Sequence, residues 1–283
     1  MYLDFFGLSA RPFSNTPDIA FLYLGKNHER AMSTLQYGIR QRLGFSLLTG
    51  EVGAGKTMLS RCLLTRLDST VLSASLITPL LTLPEVMSEI LRSFKVLTRA
   101  KTVPRMIEAF HKFLIRIAAE GKTALVLIDE AQNLSPESLE AIRLLTNLET
   151  EKQKLVQILL VGQPELLKKL ERHDLRQLNQ RISTRVHLEP LDAVETMRYI
   201  NHRISISGGM GKVFFDPKAL RLMYRESQGF PRIVNVLADR SLMASFVREQ
   251  YVIDRHAVRQ AVNDWRGSEG VNWWNSIKRL VMR

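Results

Sequence analysis

The sequence predicts an α/β fold, with a parallel five-stranded sheet and crossover helices, followed by a small all-α lid domain. Up to about residue 190, short apolar runs alternate with longer amphipathic segments, which is typical of strands joined by crossover helices. A glycine-rich loop directly follows the first apolar run, as at the turn between a strand and a helix. After Pro190 the pattern indicates helices only, so a second and smaller layer is expected there.

Each predicted element corresponds to one segment of this pattern. The five strands are predicted at 44–50, 70–77, 122–130, 154–162 and 184–188. The third run, KTALVLIDE, is apolar without interruption until its two acids, as expected of a strand buried on both faces. The helices are predicted at 56–67, 82–97, 104–120, 135–149, 192–206, 217–226, 231–247 and 254–265.

Length and composition exclude several classes of protein. A chain of 283 residues is long enough for one sizeable α/β domain and a smaller one. It has no apolar stretch of about 18 residues that would predict a spanning helix. Its first residues lack the basic and apolar segments of a signal peptide. The single cysteine, Cys62, excludes an internal disulfide and a cysteine-based metal cluster. We therefore expect a cytoplasmic protein.

The charge is strongly basic and unevenly distributed. The formal net charge is +12, and from Arg172 onward 19 Lys and Arg stand against 11 Asp and Glu. Such a bias favours a nucleic acid, anionic lipid headgroups or an acidic partner. A solvated basic surface with no such partner is the alternative.

The loop TGEVGAGKTM (49–58) carries the most specific signal. It satisfies the pattern G-x-x-x-x-G-K-[ST] between a predicted strand and a predicted helix, which is the context of a phosphate-binding loop. Glycines allow positive φ, so backbone N–H groups can face phosphate oxygens. Lys56 is expected to contact the β- and γ-phosphates, and Thr57 to hold Mg²⁺. The residues expected to contact the nucleotide are Gly50, Glu51, Val52, Gly53, Ala54, Gly55, Lys56, Thr57 and Met58.

The run LVLIDE (125–130) supplies the acids that such a loop needs. Asp129 is expected at the carboxyl edge of the sheet, where it would hold Mg²⁺. Glu130 is placed to polarise the attacking water as a general base, which favours hydrolysis over binding alone. A strand end turning into solvent is the alternative. No guanine-reading N-K-x-D motif is present, so ATP is preferred over GTP.

Several stretches together resemble a known family. YLDFFGLSARPFSNTPD, TGEVGAGKTML, LVLIDEAQNLS, LLVGQPEL, LNQRISTRVHLEPL and GFPRIVN occur in this order. They resemble AAA+ P-loop NTPases of the additional-strand type, and more narrowly the general secretion pathway protein A family, over about residues 1–265. In length the chain is most similar to the ATPase of mannose-sensitive haemagglutinin pilus biogenesis. Transposition ATPases of the TnsC and TniB kind share the same core.

The resemblance implies roles for further residues. Gln163 would be the sensor-1 residue near the γ-phosphate. Arg181 and Arg185 lie where an arginine finger for a neighbouring subunit is expected, and Arg181 is favoured. A surface or salt-bridged arginine is the alternative at either position. Arg232, in GFPR, matches the sensor-2 arginine at the start of a lid helix, and Phe13 belongs to a stretch similar to one that packs against adenine.

The implied function is ATP hydrolysis in the assembly of a pilus or a type II-like secretion machine. The protein would form a ring or filament with ATP and contact inner-membrane proteins of that machine. An ATP-dependent, DNA-binding regulator of transposition is the alternative, and a nucleotide-gated scaffold is a third class. Duplex DNA is thus an alternative partner.

The predicted domains follow from the change of pattern at Pro190. Residues 1–190 are the nucleotide-binding domain with an N-terminal arm, 191–266 the helical lid, and 267–283 a basic tail with tryptophans. Trp274 and Lys278 on one helix would suit an amphipathic segment at a membrane interface. A helix docked on its own protein is the alternative for this tail. The expected location is the cytoplasm, with peripheral contact to the inner membrane.

Overall fold

The computed structural model describes residues 2–77, 82–149 and 153–267. The described chain forms two compact units. The α/β unit comprises residues 26–52 and 56–189, and the helical unit comprises residues 2–25, 53–55 and 190–267. The predicted tail lies outside the described residues from position 268 onward.

The α/β unit is built on a parallel five-stranded sheet, as predicted. Its strands are β1 (Phe45–Gly50), β2 (Val71–Ile77), β3 (Thr123–Asp129), β4 (Val156–Gly162) and β5 (Ile182–Leu188), in the spatial order β2-β3-β4-β1-β5. Every residue of β1, β3 and β4 is buried, because helices cover both faces of a parallel sheet. The edge strands β2 and β5 instead alternate between buried and more exposed residues.

The described residues contain twelve α-helices. In chain order they are α1 (Tyr2–Phe6), α2 (Lys26–Arg40), α3 (Lys56–Thr65), α4 (Leu83–Ser93), α5 (Val103–Ala119), α6 (Pro136–Leu145), α7 (Glu165–Leu170), α8 (Arg176–Arg181), α9 (Ala193–Ile206), α10 (Pro217–Ser227), α11 (Pro231–Val247) and α12 (Arg255–Trp265). None of them is long and apolar enough to cross a membrane.

Local sequence explains where several of these helices begin. Ser135, Asp192, Asp216 and Asp254 each accept a hydrogen bond from a backbone N–H of the first helical turn. Such caps satisfy donors that have no partner within the helix. Proline in the first turn of α6, α10 and α11 suits a position whose N–H is not needed.

The helical unit has its own apolar core, and the N-terminal residues belong to it. Phe6 and Phe13 are buried in this core with residues of α9 to α12. The buried Arg203 of α9 donates hydrogen bonds to the backbone carbonyls of Pro12 and Ser14. The first 25 residues therefore cluster with the helices, whereas the sequence placed the arm with the α/β domain. The functional domain boundaries stay a prediction.

The helical unit also contains a short strand pairing that the sequence pattern did not indicate. β6 (Phe214–Phe215) and β7 (Val252–Ile253) pair in parallel register. Each strand is only two residues long, so neither produces a recognisable alternation. Each directly precedes the aspartate that caps α10 or α12, and the pairing therefore sets the two helix starts side by side.

Candidate nucleotide-binding site

The glycine loop follows the strand β1, which lies between β4 and β5 in the sheet. The carboxyl ends of parallel strands share one edge, and this is where ligands bind in open α/β sheets. Gly50, the last residue of β1, has no room for a side chain, since a Cβ would lie 2.7 Å from the carbonyl oxygen of Leu188. Gly55 has φ +102°, a conformation that favours glycine. Both positions thus need glycine for physical reasons.

Lys56 begins α3 and is almost fully buried, with 6% of its surface exposed. Its Nζ donates hydrogen bonds to the carbonyls of Gly50 at 2.8 Å and Glu51 at 3.0 Å. Burial lowers the pKa of Lys56, and the nearby carboxylates of Glu130 and Asp129 oppose that shift. A buried ammonium beside a glycine loop is a binding group for phosphate oxygens.

The remaining loop residues differ in their exposure. Val52 is exposed to 38%, whereas Ala54 is fully buried. Met58 lies in the first turn of α3, whose N-terminus presents backbone N–H groups. The loop thus has the backbone donors and the helix start that suit an anion.

Thr57 and Asp129 meet across two elements of the α/β unit. The Thr57 hydroxyl donates a hydrogen bond to Oδ2 of Asp129 at 2.9 Å. Asp129 ends β3 and is 5% exposed, and its Oδ1 accepts a hydrogen bond from the Glu130 N–H at 2.9 Å. A hydroxyl and a carboxylate side by side are hard oxygen ligands of the kind that Mg²⁺ takes, with water filling its other positions. This pair therefore fits the predicted metal.

Glu130 is held in place by two side-chain amides. Its Oε2 accepts a hydrogen bond from Nε2 of Gln132 at 2.6 Å and from Nε2 of Gln163 at 3.2 Å. Its backbone has φ +54° and ψ +37°, the left-handed region that non-glycine residues seldom adopt. Such conformations cost of the order of 1 kcal/mol and cluster at functional sites.

Gln132 is the functional candidate that the sequence analysis missed. Besides its bond to Glu130, its Oε1 accepts a hydrogen bond from the backbone N–H of Gln163 at 3.1 Å. It thereby links the residues that follow β3 and β4. A Cβ at Gly162 would lie 2.9 Å from this same oxygen, so glycine leaves room for the amide. The available signal was a polar residue two positions after Glu130, in DEAQN.

The predicted arginine fingers lie elsewhere in the α/β unit. Arg181 ends α8 and donates hydrogen bonds to the side chains of Thr146, at 3.4 Å, and Asn147. Arg185 lies in β5 and donates hydrogen bonds to the backbone and side chain of Asn179. Neither arginine is hydrogen-bonded to the glycine loop or to the acids after β3.

The strand register places Arg181 at the amino ends of the strands, whereas the loop follows the carboxyl end of β1. Phe45 pairs with Ile182, next to Arg181, whereas Gly50 pairs with Leu188 at the loop end. Six residues of extended strand span about 20 Å. Arg181 is therefore too far from the loop of its own chain to contact a phosphate bound there.

Arg232 lies in the helical unit, in the first turn of α11, and is exposed. Its backbone N–H donates a long hydrogen bond of 3.4 Å to the carbonyl of Gly53, which clusters with this unit. A Cβ at Gly53 would lie 2.9 Å from the Cβ of Arg232, and Gly53 has φ +81°. Glycine is thus required at position 53 both by conformation and by this close approach.

Comparison with known proteins identifies a domain, a relative and a fold. Residues 39–170 match the family model described as an AAA domain. Over 277 residues the chain is 40% identical to general secretion pathway protein A of Aeromonas hydrophila, a match that covers 98% of this chain and 50% of that protein. An AAA domain is thus present in the chain. The chain is related to general secretion pathway protein A and spans about half of that relative's length.

Solved structures show the same fold at low sequence identity. The ORC2 protein of Aeropyrum pernix, in ADPNP-ADP complexes, matches with a TM-score of 0.65 and 17% identity, over 90% of this chain and 71% of that one. The ORC1 protein of the same organism, in complex with DNA, gives 0.61 and 20%, over 88% and 68%. The RuvB Holliday junction branch migration motor of Thermotoga maritima gives 0.57 and 18%, over 90% and 76%. These likenesses establish the AAA-type fold of the chain.

Proposed function

We propose that this AAA protein hydrolyses ATP in an Mg²⁺-dependent reaction at the glycine loop. The observation that carries the proposal is the position of Glu130, held by the amides of Gln132 and Gln163, directly after the Thr57–Asp129 pair. A site that only bound nucleotide would need the loop and the metal ligands. It would not need a carboxylate fixed by two amide donors beside them.

Each residue has a distinct part in this mechanism. Lys56 and the loop N–H groups bind the phosphates, and Thr57 and Asp129 would hold Mg²⁺. The metal, when bound, would supply positive charge that offsets the negative charge of the phosphates. Glu130 accepts a proton from the attacking water, and the loss of this proton makes the water oxygen a stronger nucleophile. Gln163 helps to orient the Glu130 carboxylate.

Arg181 is proposed to act on the nucleotide of a neighbouring subunit. Its distance of about 20 Å from its own loop, estimated from the strand rise, supports action in trans. An arginine supplied in trans contributes about 10³–10⁵ to the rate in related phosphoryl transfer. Arg185 stays the second candidate, and Arg232 is proposed to report the nucleotide state to the helical unit. A ring or filament formed with ATP follows from such a shared site.

The biochemical test separates binding from turnover. Glu130→Gln should keep the affinity for a fluorescent ATP analogue and lose Mg²⁺-dependent phosphate release, because the amide cannot accept the proton. Lys56→Ala should lose binding itself. Glu171→Gln, which changes an exposed carboxylate of the same unit, is the matched control and should keep both. Equal turnover in Glu130→Gln and wild type would contradict the proposal.

The proposed role of this hydrolysis is the assembly of a pilus or type II-like secretion machine from the cytoplasmic face of the inner membrane. The relative named general secretion pathway protein A supports this class. A host strain that lacks the protein should lose surface pili or secreted protein. Wild type should restore them and Glu130→Gln should not. If Glu130→Gln restored the pili or the secreted protein, the role in assembly would not depend on hydrolysis.

A DNA-binding regulator is the second candidate, favoured by the net charge of +12. It predicts ATP-dependent binding to duplex DNA, with an affinity that falls steeply as salt rises because bound counterions are released. Fluorescence anisotropy with a labelled duplex, with and without a non-hydrolysable ATP analogue, measures this directly. No binding at low salt would exclude the candidate.

A further inference from the structure

A concave basic surface lies on α10 and α12 of the helical unit. Its cavity has a volume of about 360 Å³ and is lined by Lys218, Arg221, Leu222, Arg225 and Arg255, which we call the basic cleft. The three cationic residues of α10 recur at spacings of three and four, so they share one face of that helix. Four of the five lining residues are therefore cationic.

The cleft has this shape because α10 and α12 run side by side in the same direction. Their starts are joined through β6 and β7, where the Asp216 N–H donates a hydrogen bond to the carbonyl of Ile253 at 3.0 Å. Near their ends, Arg266 after α12 forms an ion pair with Glu226 of α10. The cations of α10 and Arg255 thus face one groove.

Three of the four cations have no partner within the described chain. Lys218, Arg221 and Arg255 are exposed and form no hydrogen bond or ion pair with another described residue. Arg225 is the exception, because it forms an ion pair with Glu226 at 2.9 Å. The positive charge of the cleft is therefore mostly uncompensated.

The positions of Lys218 and Arg255 do not serve helix stability. Neither α10 nor α12 has an acid in its first turn, although the positive end of the helix dipole favours one there. Lys218 and Arg255 occupy those turns instead. The capping acids are already engaged, since Asp216 accepts from the Ala219 N–H and Asp254 pairs with Arg248. An external anion would relieve the repulsion between each of these cations and the positive end of its helix dipole.

An exposed apolar pair lies where both helices begin. Phe214 is 53% exposed and Val252 is 50% exposed, and the two are register partners in β6 and β7. Directly paired residues point to the same face of a sheet, whereas the next residues point to the other. Those next residues, Phe215 and Ile253, are buried in the core. Phe214 and Val252 therefore face outward together.

We propose that the basic cleft and the pair Phe214–Val252 form a docking surface for an anionic lipid membrane. Lipid phosphates would occupy the cleft, and the two apolar side chains would enter the headgroup region. Cations beside exposed aromatic and aliphatic side chains are the pattern of interfacial binding. A nucleic acid backbone offers the phosphates but no apolar layer for an aliphatic residue such as Val252. The docking requires no nucleotide, so it stands or falls separately from hydrolysis.

The test is flotation of the full chain, without nucleotide, on vesicles of phosphatidylcholine with or without phosphatidylglycerol. Wild type should bind only the phosphatidylglycerol vesicles, and added salt should weaken binding by screening the charges. Lys218→Gln, Arg221→Gln and Arg255→Gln combined should weaken it by about two orders of magnitude, at about fivefold for each charge near the surface. Phe214→Ser alone should weaken it several-fold, also at high salt.

A scattered triple variant controls for net charge. Arg61→Gln, Arg99→Gln and Lys168→Gln remove the same charge from exposed positions of the α/β unit. This variant should bind nearly as wild type does. The docking surface would be overturned if both triple variants lost vesicle binding equally, or if the cleft variant bound vesicles as wild type does.

A parallel titration with labelled duplex DNA decides whether the basic cleft binds a membrane or a nucleic acid. If wild type binds DNA but no vesicles, and the cleft triple loses that DNA binding, the surface belongs to a nucleic acid and the membrane proposal is wrong. Vesicle binding that the cleft triple loses, with DNA binding unaffected by it, supports the proposal.

Discussion

Gln132 links the proposed general base to the neighbouring strand, so replacing it should separate positioning from binding. Gln132→Leu removes the hydrogen bond of 2.6 Å to the Glu130 carboxylate and the bond of 3.1 Å from the Gln163 N–H. A hydrogen bond to a charged group contributes about 1.5–3 kcal/mol. If the transition state loses this amount of stabilisation because Glu130 is no longer held, kcat should fall about 10- to 100-fold, since 1.4 kcal/mol corresponds to a factor of ten.

The predicted signature of Gln132→Leu is a loss in kcat with little change in nucleotide affinity. In the proposed mechanism the phosphates contact Lys56 and the loop, which the substitution does not touch. Steady-state phosphate release gives kcat, and titration with a fluorescent ATP analogue gives Kd. Stability is followed by thermal unfolding of the same samples.

Gln157→Leu is the matched control for the loss of a buried glutamine. Gln157 lies on β4 and its Oε1 accepts a hydrogen bond from the Gly44 N–H at 2.7 Å, away from Glu130. This control should lower stability and leave kcat per folded molecule within about twofold, since the lost buried hydrogen bond lies away from Glu130 and affects folding. If Gln132→Leu retains wild-type kcat, or changes only Kd, the proposed positioning is wrong.

Three further predictions follow from other contacts. Arg181→Ala should keep nucleotide affinity and lose most turnover, and mixing it with Lys56→Ala should restore part of the activity; no rescue at any ratio would count against a shared site. Arg203→Met should lower the free energy of unfolding by about 2–4 kcal/mol in chemical denaturation, because buried carbonyls of the N-terminal segment lose their donor. Burial and the hydrogen bond to Asp239 raise the pKa of Tyr2, so the folded state keeps a proton that the unfolded chain releases above about pH 10. Stability should therefore fall as pH rises from 10, and Tyr2→Phe should show less of that fall in denaturant titrations at pH 9 and 11.

The sheet could be predicted from the sequence because its strands are continuous apolar runs. β1, β3 and β4 are buried throughout, so no polar alternation interrupts the pattern in their sequences. The glycine loop was equally visible, since its function requires particular residue types at fixed spacing. The Thr57 hydroxyl donates a hydrogen bond to Asp129, and the role of the two residues in holding Mg²⁺ stays a prediction.

Contacts between distant segments could not be predicted from the sequence. Gln132 is an ordinary polar residue until β3 and β4 are adjacent and its amide reaches Gln163. The N-terminal segment was assigned by position in the chain, but Arg203 and the burial of Phe13 tie it to the helices. The pairing of β6 with β7 depends on two residues in each strand, too few for a periodic signal.

A single-turnover measurement tests the central claim most directly. With protein in excess over ATP and Mg²⁺ present, wild type should convert the bound nucleotide to ADP and phosphate. Glu130→Gln should hold the same nucleotide without converting it, because the loop, Lys56 and Thr57 are intact. ADP formation at the same rate in both proteins would contradict the assignment of Glu130 as the general base.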